Sequence, residues 1–230
     1  MMKRFLSLIA VLGISFSAVA GDVTGKVAFD GKAPAAARLR MDADKVCARA
    51  HKAPVSGEDV VVNKNGTLMN VLIYVKDGLG GKKFNAPTSK MVFDQEGCIY
   101  KPHVMGIMVG QELEVLNSDP TLHNVHSLSK ANTQFNQAMP MKGMKLSKKF
   151  EKVETFKVKC EVHPWMAAYI GVFSHPYYAV TDDNGNFTIK GLPAGSYTLE
   201  AWHEKYGTQT MKVTVDAAGK AIADFKYSGK

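Results

Sequence analysis

The feature that most constrains the fold of this chain is the segment Cys160–Met166, in which a cysteine, a histidine and a methionine follow one another at intervals of three residues. A pair of histidines, His123 and His126, begins 37 residues before the cysteine. Thiolate, imidazole and thioether groups form the soft ligand set that favours copper. The sequence therefore predicts a copper site, and the fold must bring these two distant segments together to form it.

Alternation of polar and apolar residues indicates that the chain is rich in β-strands. Residues 112–116 and 156–160 alternate in the way that half-buried strands do. In the second segment Phe156, Val158 and Cys160 share one face of the strand. Cys160 is therefore expected to point into the core at the end of a strand.

Turn signals separate the apolar runs, and helical signals are sparse. The Asn65–Gly66 turn, flanked by two runs rich in Val and Ile, predicts a β-hairpin. One short helix is predicted over residues 42–50, with Asp42 or Asp44 as its N-cap. Residues 130–147 are polar and Met-rich and predict a loop or a loose hairpin. The fold class expected from this pattern is all-β.

The N-terminus has the pattern of a secretory signal peptide over residues 1–20. Lys3 and Arg4 precede a short apolar run, and small residues up to Ala20 form the expected cleavage site. The run is shorter than the roughly 20 apolar residues of a membrane span. Cleavage lowers the net charge from +8 to +6, because it removes Lys3 and Arg4 and no acidic residue. We expect a periplasmic or secreted protein without a membrane span, and the dispersed lysines do not suggest a nucleic-acid partner.

Three cysteines in an oxidising compartment are an odd number, which requires an explanation. Pairing of Cys47 with Cys98 would leave Cys160, the cysteine with His and Met at ligand spacing. The alternative is that Cys47 and Cys98 are two buried free thiols. We expect the disulfide.

The sequence pattern changes after residue 176. Segment 180–189 contains Thr-Asp, Gly and Phe in that order, and segment 191–199 contains Leu-Pro, Gly and Tyr. This pattern resembles that of carboxypeptidase regulatory-like domains. The resemblance implies a small prealbumin-like β-sandwich over residues 176–230. Residues 25–34 resemble the first strand of the same domain, so we expect the N-terminal segment 21–40 to pair with it. The copper domain, residues 41–175, would then be inserted between the two parts; the alternative is two consecutive domains.

His-Asn-Val-His at residues 123–126, together with Cys-Glu-Val-His-Pro-Trp-Met at 160–166, resembles the cupredoxins, and among them the amicyanins. The resemblance implies a Greek-key β-sandwich with one type 1 (blue) copper. The ligands carried over from the family are listed here: His123, Cys160, His163 and Met166. In such proteins the residue matching Asn124 ties the two ligand segments together, and His126 is expected to be structural.

The resemblance also implies a function and a surface for electron exchange. Two imidazoles, a thiolate and a weak thioether are the ligands of a copper that transfers single electrons. The edge of His163 is expected to reach the surface in an apolar patch lined by Trp165 and Met166. The expected partner is a redox protein such as a c-type cytochrome or a dehydrogenase, and the protein itself is not expected to be an enzyme.

Other functions use other features of the sequence. Storage, delivery or sensing of copper is the main alternative, and it draws on the scattered residues Met105, Met108, Met139, Met141 and Met144. A copper oxidoreductase needs a second copper held by further histidines, and the four single ones have no spaced partner: His51, His103, His175 and His203. A structural or adhesive β-protein with a vestigial site is the remaining alternative.

Overall fold

The computed structural model describes residues 20–229, so the predicted signal peptide lies outside the described residues except for Ala20. The described chain is nearly all β, with 17 strands and one five-residue helix. These strands form four sheets, which pack in pairs as two sandwiches. The all-β prediction is confirmed. Among the described residues, no helix is long and apolar enough to cross a membrane.

The first sandwich combines strands from both ends of the chain, and we call it the composite sandwich. Its strands are β1 (Ala20–Asp30), β2 (Leu72–Asp77), β12 (Tyr178–Val180), β13 (Asn186–Pro193), β14 (Gly195–His203), β15 (Gly207–Val215), β16 (Lys220–Ile222) and β17 (Phe225–Ser228). In one sheet β1 pairs antiparallel with β13 and parallel with β16 and β17. The order of the other sheet is β12-β2-β14-β15. Alternating buried residues such as Val23 and Val27 of β1 fill the core between the sheets.

Strand β2 differs from its prediction in two ways. The hairpin expected around Asn65–Gly66 is reduced to a turn and a single bridge between Val62 and Leu68. β2 instead lies between β12 and β14, inside the composite sandwich. β2, although it lies within residues 41–175, therefore belongs to the composite sandwich, because burial of an apolar central strand outweighs pairing with its sequence neighbour.

The second sandwich is formed by consecutive strands between residues 91 and 173, and we call it the inserted sandwich. Its strands are β3 (Met91–Gln95), β4 (Tyr100–Lys101), β5 (Val104–Met108), β6 (Leu113–Asn117), β7 (His123–Ser127), β8 (Asn136–Met139), β9 (Lys145–Lys148), β10 (Glu154–Lys159) and β11 (Ala167–Phe173). The sheet orders are β5-β11-β10-β7-β8 and β4-β3-β6-β9. Strands β8 and β9, in the segment predicted as a loop or loose hairpin, belong to different sheets, so they do not form a hairpin.

Pairing of β7 with β10 explains how the two motif segments meet. The strands are antiparallel, with Lys159 opposite His126. The start of one antiparallel strand lies beside the end of its partner. The first residue of β7, His123, therefore lies at the same end of the sheet as Cys160, which follows β10 directly.

A segment of residues 38–55, which we call the cap, covers this end of the inserted sandwich. It contains the helix α1 (Lys45–Arg49), whose N-cap is Asp44. The Asp44 carboxylate accepts the backbone N–H groups of Val46 and Cys47, as an N-cap does. A disulfide joins Cys47 to Cys98 and leaves Cys160 as a buried free thiol. The predicted pairing is confirmed.

Aromatic side chains join the two sandwiches. Tyr169 of β11 lies 5.1 Å from the Trp202 ring of β14, measured between ring centroids. The buried His103 and the partly buried Glu204 form a hydrogen bond of 2.5 Å between the sandwiches. The inserted sandwich is thus attached through packed side chains in addition to the chain itself.

Glu154, at the start of β10, is expected to contribute to the stability of the sheet that contains β7 and β10. Burial alone would raise the pKa of Glu154, but bonds from Ser129 and the backbone N–H groups of Lys130 and Ala131 lower it to about 2. The stability that Glu154 contributes is present above pH ~4.5 and decreases as the pH falls towards 2. We expect Glu154→Gln to cost about 1–3 kcal/mol at pH 7 and less at pH 3, measured by urea unfolding. The exposed Glu151, changed to Gln, is the control, and an equal loss in both variants would contradict this role.

Candidate metal centre

The motif residues lie together at the end of the inserted sandwich, and all four are buried. His123, Cys160, His163 and Met166 have exposed fractions of 0%, 3%, 2% and 1%. Backbone bonds close the segment from 160 to 166: Cys160 N–H donates to Met166 O at 3.1 Å, and Met166 N–H donates to His163 O at 2.9 Å. The segment is therefore a closed turn between β10 and β11, in which the Cys160 and His163 side chains lie close to His123.

Three ligand atoms converge in this turn. The Nδ1 atoms of His123 and His163 are 3.0 Å apart, and the Cys160 Sγ atom is 4.0 Å from Nδ1 of His163. One ligand atom from each of the three residues lies within 4.8 Å of the other two. Met166 belongs to the same buried cluster as Cys160.

In both His123 and His163 the second ring nitrogen, Nε2, is hydrogen-bonded to a carboxylate. Nε2–H of His123 donates to Asp119 at 2.8 Å, and Nε2–H of His163 donates to Asp44 at 3.2 Å. Because a carboxylate only accepts, these bonds place a proton on each Nε2 and leave both Nδ1 lone pairs facing inward. A carboxylate that orients a metal-binding imidazole in this way is a common feature of metal sites.

The electrostatics of the cluster require a cation. Two Nδ1 lone pairs and a thiolate repel one another at these distances unless a proton or a metal ion lies among them. Burial alone would raise the pKa of Cys160, but hydrogen bonds from His123 and His163 lower it to about 6. Burial alone would lower the pKa of His123, but bonds to Asp119 and Cys160 raise it to about 9. A soft monovalent or divalent metal can replace the proton, and the donor set fits copper.

The cap covers the outer edge of His163, and the prediction that this edge reaches the surface is wrong. Nε2 of His163 lies 3.6 Å from Cys47 Sγ and faces Asp44. Burial alone would raise the pKa of Asp44, but bonds from Thr121, Val46 and His163 lower it to about 2, so Asp44 is anionic. The disulfide between Cys47 and Cys98 anchors the cap. Cys47 and His163, which are in contact here, are 116 positions apart in the chain.

The predicted apolar patch also has a different composition. Met166 is buried, and Trp165 is half-buried with its indole N–H donating to Cys98 O at 3.0 Å. The exposed apolar side chains next to His123 and His163 in the sequence are instead Leu122 and Val162, at 40% and 43% exposure. Trp165 still contacts the site, because its ring centroid lies 4.9 Å from that of His163.

The two remaining motif residues support the site from outside. Asn124 Oδ1 accepts the Glu161 N–H at 3.1 Å, so Asn124 ties the β7 segment to the segment after β10, as expected. His126 is partly exposed and bonds Glu161 through Nδ1 at 2.5 Å. His126 is outside the candidate metal cluster.

Within residues 20–229 the other candidate ligands do not form a comparable site. Two further groupings exist, Asp44 with Cys47 and His163, and Cys98 with Asp119 and His123, but their sulfur atoms belong to the disulfide. The single histidines are in none of the three groupings: His51, His103, His175 and His203. Met105, Met108 and Met139 are buried in cores or at their edges, and Met141 is exposed.

The carboxylates Asp44 and Asp119 were missed by the sequence analysis as partners of the ligands. Asp119 precedes His123 by four residues, and its carboxylate also accepts the N–H groups of Gly97 and Cys98. The closeness of Asp119 to His123 in the sequence could have indicated that its carboxylate bonds this histidine. Asp44 was predicted only as one of two possible helix caps, and nothing in the sequence indicates that it contacts His163.

Comparison with known families gives one match to part of the chain. The family model described as carboxypeptidase regulatory-like domain matches residues 165–228. This confirms the resemblance predicted for the C-terminal part, although the match begins at residue 165 instead of 176. No curated protein matches the chain in sequence.

Solved structures of copper proteins are among the structural matches. A Cu-containing nitrite reductase from Thermus scotoductus is 21% identical, with 43% of this chain and 25% of that chain covered and a TM-score of 0.36. A purple cupredoxin from Nitrosopumilus maritimus is 27% identical over 32% of this chain and 81% of that one, with a TM-score of 0.29. A reduced amicyanin variant is 20% identical over 44% and 97%, with a TM-score of 0.34. The aligned part thus spans a quarter of the nitrite reductase.

Proposed function

We propose that this protein is a one-electron carrier with a single type 1 copper, held by His123, Cys160 and His163 with Met166 as a weak fourth ligand. The observation that carries the proposal is the convergence of two Nδ1 atoms and one Sγ atom, with each opposite Nε2 tied to a carboxylate. The sequence resemblance to cupredoxins supports the same ligand set. It also supports assigning the inserted sandwich as a cupredoxin-like domain.

The surroundings of the site suit electron transfer. Copper bound to this ligand set would supply a centre that cycles between two oxidation states. The turn closed by the Cys160 and Met166 backbone bonds, the two carboxylates and the disulfide each restrict movement of the ligands. Burial of all four proposed ligands excludes water from the site. A site that rearranges little on gaining an electron exchanges it rapidly.

The proposed setting is the periplasm or the exterior of the cell, after signal-peptide cleavage near Ala20. The redox partner would be a protein such as a c-type cytochrome or a dehydrogenase, and the chain would have no enzymatic activity of its own. Storage or delivery of copper is the alternative, and it requires a site from which copper leaves readily. Burial of the ligands beneath the cap favours the carrier.

Protein-film voltammetry of the copper-loaded mature protein tests the carrier function. We expect a reversible one-electron wave that persists over repeated cycles, together with slow loss of copper to a strong chelator. Rapid loss of copper to the chelator with no reversible wave would support storage or delivery instead.

Asp119 is expected to strengthen copper binding without touching the metal. In Asp119→Asn the carboxylate that orients His123 becomes an amide, so copper affinity should fall about 10- to 100-fold. Competition with a chromophoric Cu(I) chelator measures this change, and circular dichroism checks the fold. Asp182→Asn, in the composite sandwich, is the control. Unchanged affinity in Asp119→Asn would contradict the orienting role.

A further inference from the structure

The outer face of the cap has a concentration of positive charge. Five basic residues lie in the 18 residues from 38 to 55, and all five are exposed: Arg38, Arg40, Lys45, Arg49 and Lys52. The same segment contains two acidic residues. Asp44 is turned inward towards Thr121 and His163, so only Asp42 opposes the five cations on the exposed face.

These five cations have no salt bridge with any described residue, unlike many lysines elsewhere in the chain. Seven lysines do have acidic partners: Lys76, Lys90, Lys101, Lys145, Lys159, Lys205 and Lys226. Like charges that are close together and unpaired produce a positive potential over the surface, which attracts an acidic partner. The charge is therefore available for an intermolecular contact.

The charged face lies directly above the candidate metal centre. Cys47 is 3.6 Å from Nε2 of His163 on the inner side of the cap. On the outer side two clefts of about 660 Å³ each adjoin the cap, and His51 lines both. Arg38, Arg40 and Lys52 line the first cleft. Lys45 and Arg49 line the second, together with Lys101 and Lys142 of the inserted sandwich. Its two acidic lining residues, Glu96 and Asp119, are paired with Lys101 and His123.

We propose that the cap is the docking surface for an acidic one-electron redox protein, an inference that rests on the proposed electron-carrier function. A copper held by His123, Cys160 and His163 would accept one electron from a reduced partner, which is thereby oxidised, or give one electron to an oxidised partner. The edge of His163 contacts Cys47 and Asp44 on the inner side of the cap, so a partner on the cap would come close to the proposed copper. An anionic membrane would match the charge but carries no redox group, so the position of the cap favours a protein.

Charge reversal tests the docking surface. The cap variant combines Arg38→Glu, Arg40→Glu and Arg49→Glu. The control variant combines Lys190→Glu, Lys212→Glu and Lys220→Glu, three exposed lysines of the composite sandwich, and changes the net charge equally. Binding of the metal-free proteins to an acidic c-type cytochrome is measured by calorimetry, and electron exchange of the copper-loaded proteins by stopped-flow absorbance. A basic c-type cytochrome and vesicles containing anionic phosphatidylserine are the comparison probes.

We expect the cap variant to lose at least about tenfold in association rate with the acidic cytochrome at low salt, and the control variant to lose much less. Added salt should lower the association rate of the original protein towards that of the cap variant, because exposed charges are screened over about 10 Å at 0.1 M. Equal losses in both variants, or no loss in either, would overturn the proposal. Cap-dependent binding to the vesicles without binding to the acidic cytochrome would also overturn it, in favour of a membrane.

The two levels of the proposal can fail separately. Docking through the charges of the cap would not require copper, so calorimetry of the metal-free proteins tests docking alone. A colourless protein that binds the cytochrome through the cap would refute the type 1 copper and leave the docking surface. A blue protein whose cap variant behaves like the control variant would retain the copper site and refute the docking surface.

Discussion

Copper-loaded Cys160→Ala is expected to lack the intense visible absorption of the original protein, because that band arises from the bond between the thiolate and copper. Changes to groups that only orient a ligand already cost about 10- to 100-fold in metal affinity. Loss of the thiolate itself should therefore weaken copper binding by more than about 100-fold. Visible absorption and competition with a chromophoric chelator measure the two effects.

His126→Ala is the matched control for Cys160→Ala. His126 lies on β7, as His123 does, yet its partly exposed imidazole bonds Glu161 and is outside the candidate metal cluster. The control should retain the absorption band. An undiminished band in Cys160→Ala, or equal loss in both variants, would show that the copper lies elsewhere.

Removal of the disulfide should produce the largest loss of stability. The bridge between Cys47 and Cys98 closes a loop with a sequence separation of 51 residues. In the chain-entropy model a loop of this size corresponds to about 4 kcal/mol. We expect Cys47→Ser/Cys98→Ser to lower the free energy of unfolding by about this amount, measured by urea denaturation of the metal-free protein.

The same double variant should also make the site more accessible. Once the cap is released from Cys98, its contacts with His163 depend on Asp44 and on packing alone. Copper should then pass to a chelator faster than in the original protein. Cys160→Ser, which retains the disulfide, is the control for stability, and a loss below about 1 kcal/mol in the double variant would contradict the stabilising role of the bridge.

The parts of the fold that depend on local patterns could be predicted. Alternation along residues 156–160 predicted the inward direction of Cys160, and the structure has its side chain buried. The odd number of cysteines predicted the pairing of Cys47 with Cys98. The short helix near residues 42–50 was predicted from its acidic cap, and Asp44 is that cap.

Contacts between distant segments could not be predicted in the same way. A hydrophobic run such as β2 has the same pattern whether it pairs with its neighbour or with β14, more than 100 residues later. The cap is attached to Cys98 by a bond that the sequence suggested, but its position over His163 depends on how β4, β6 and β7 pack. The exposed edge expected for His163 was wrong for this reason.

Visible absorption and EPR spectra of the mature protein, recorded during titration with Cu(II) beyond one equivalent, test the type 1 copper site. We expect an intense thiolate-to-copper band and an EPR signal with narrow hyperfine splitting, both saturating at one copper per chain. A colourless protein, or a weak Cu(II) signal with ordinary wide splitting, would contradict a type 1 site formed by His123, Cys160 and His163.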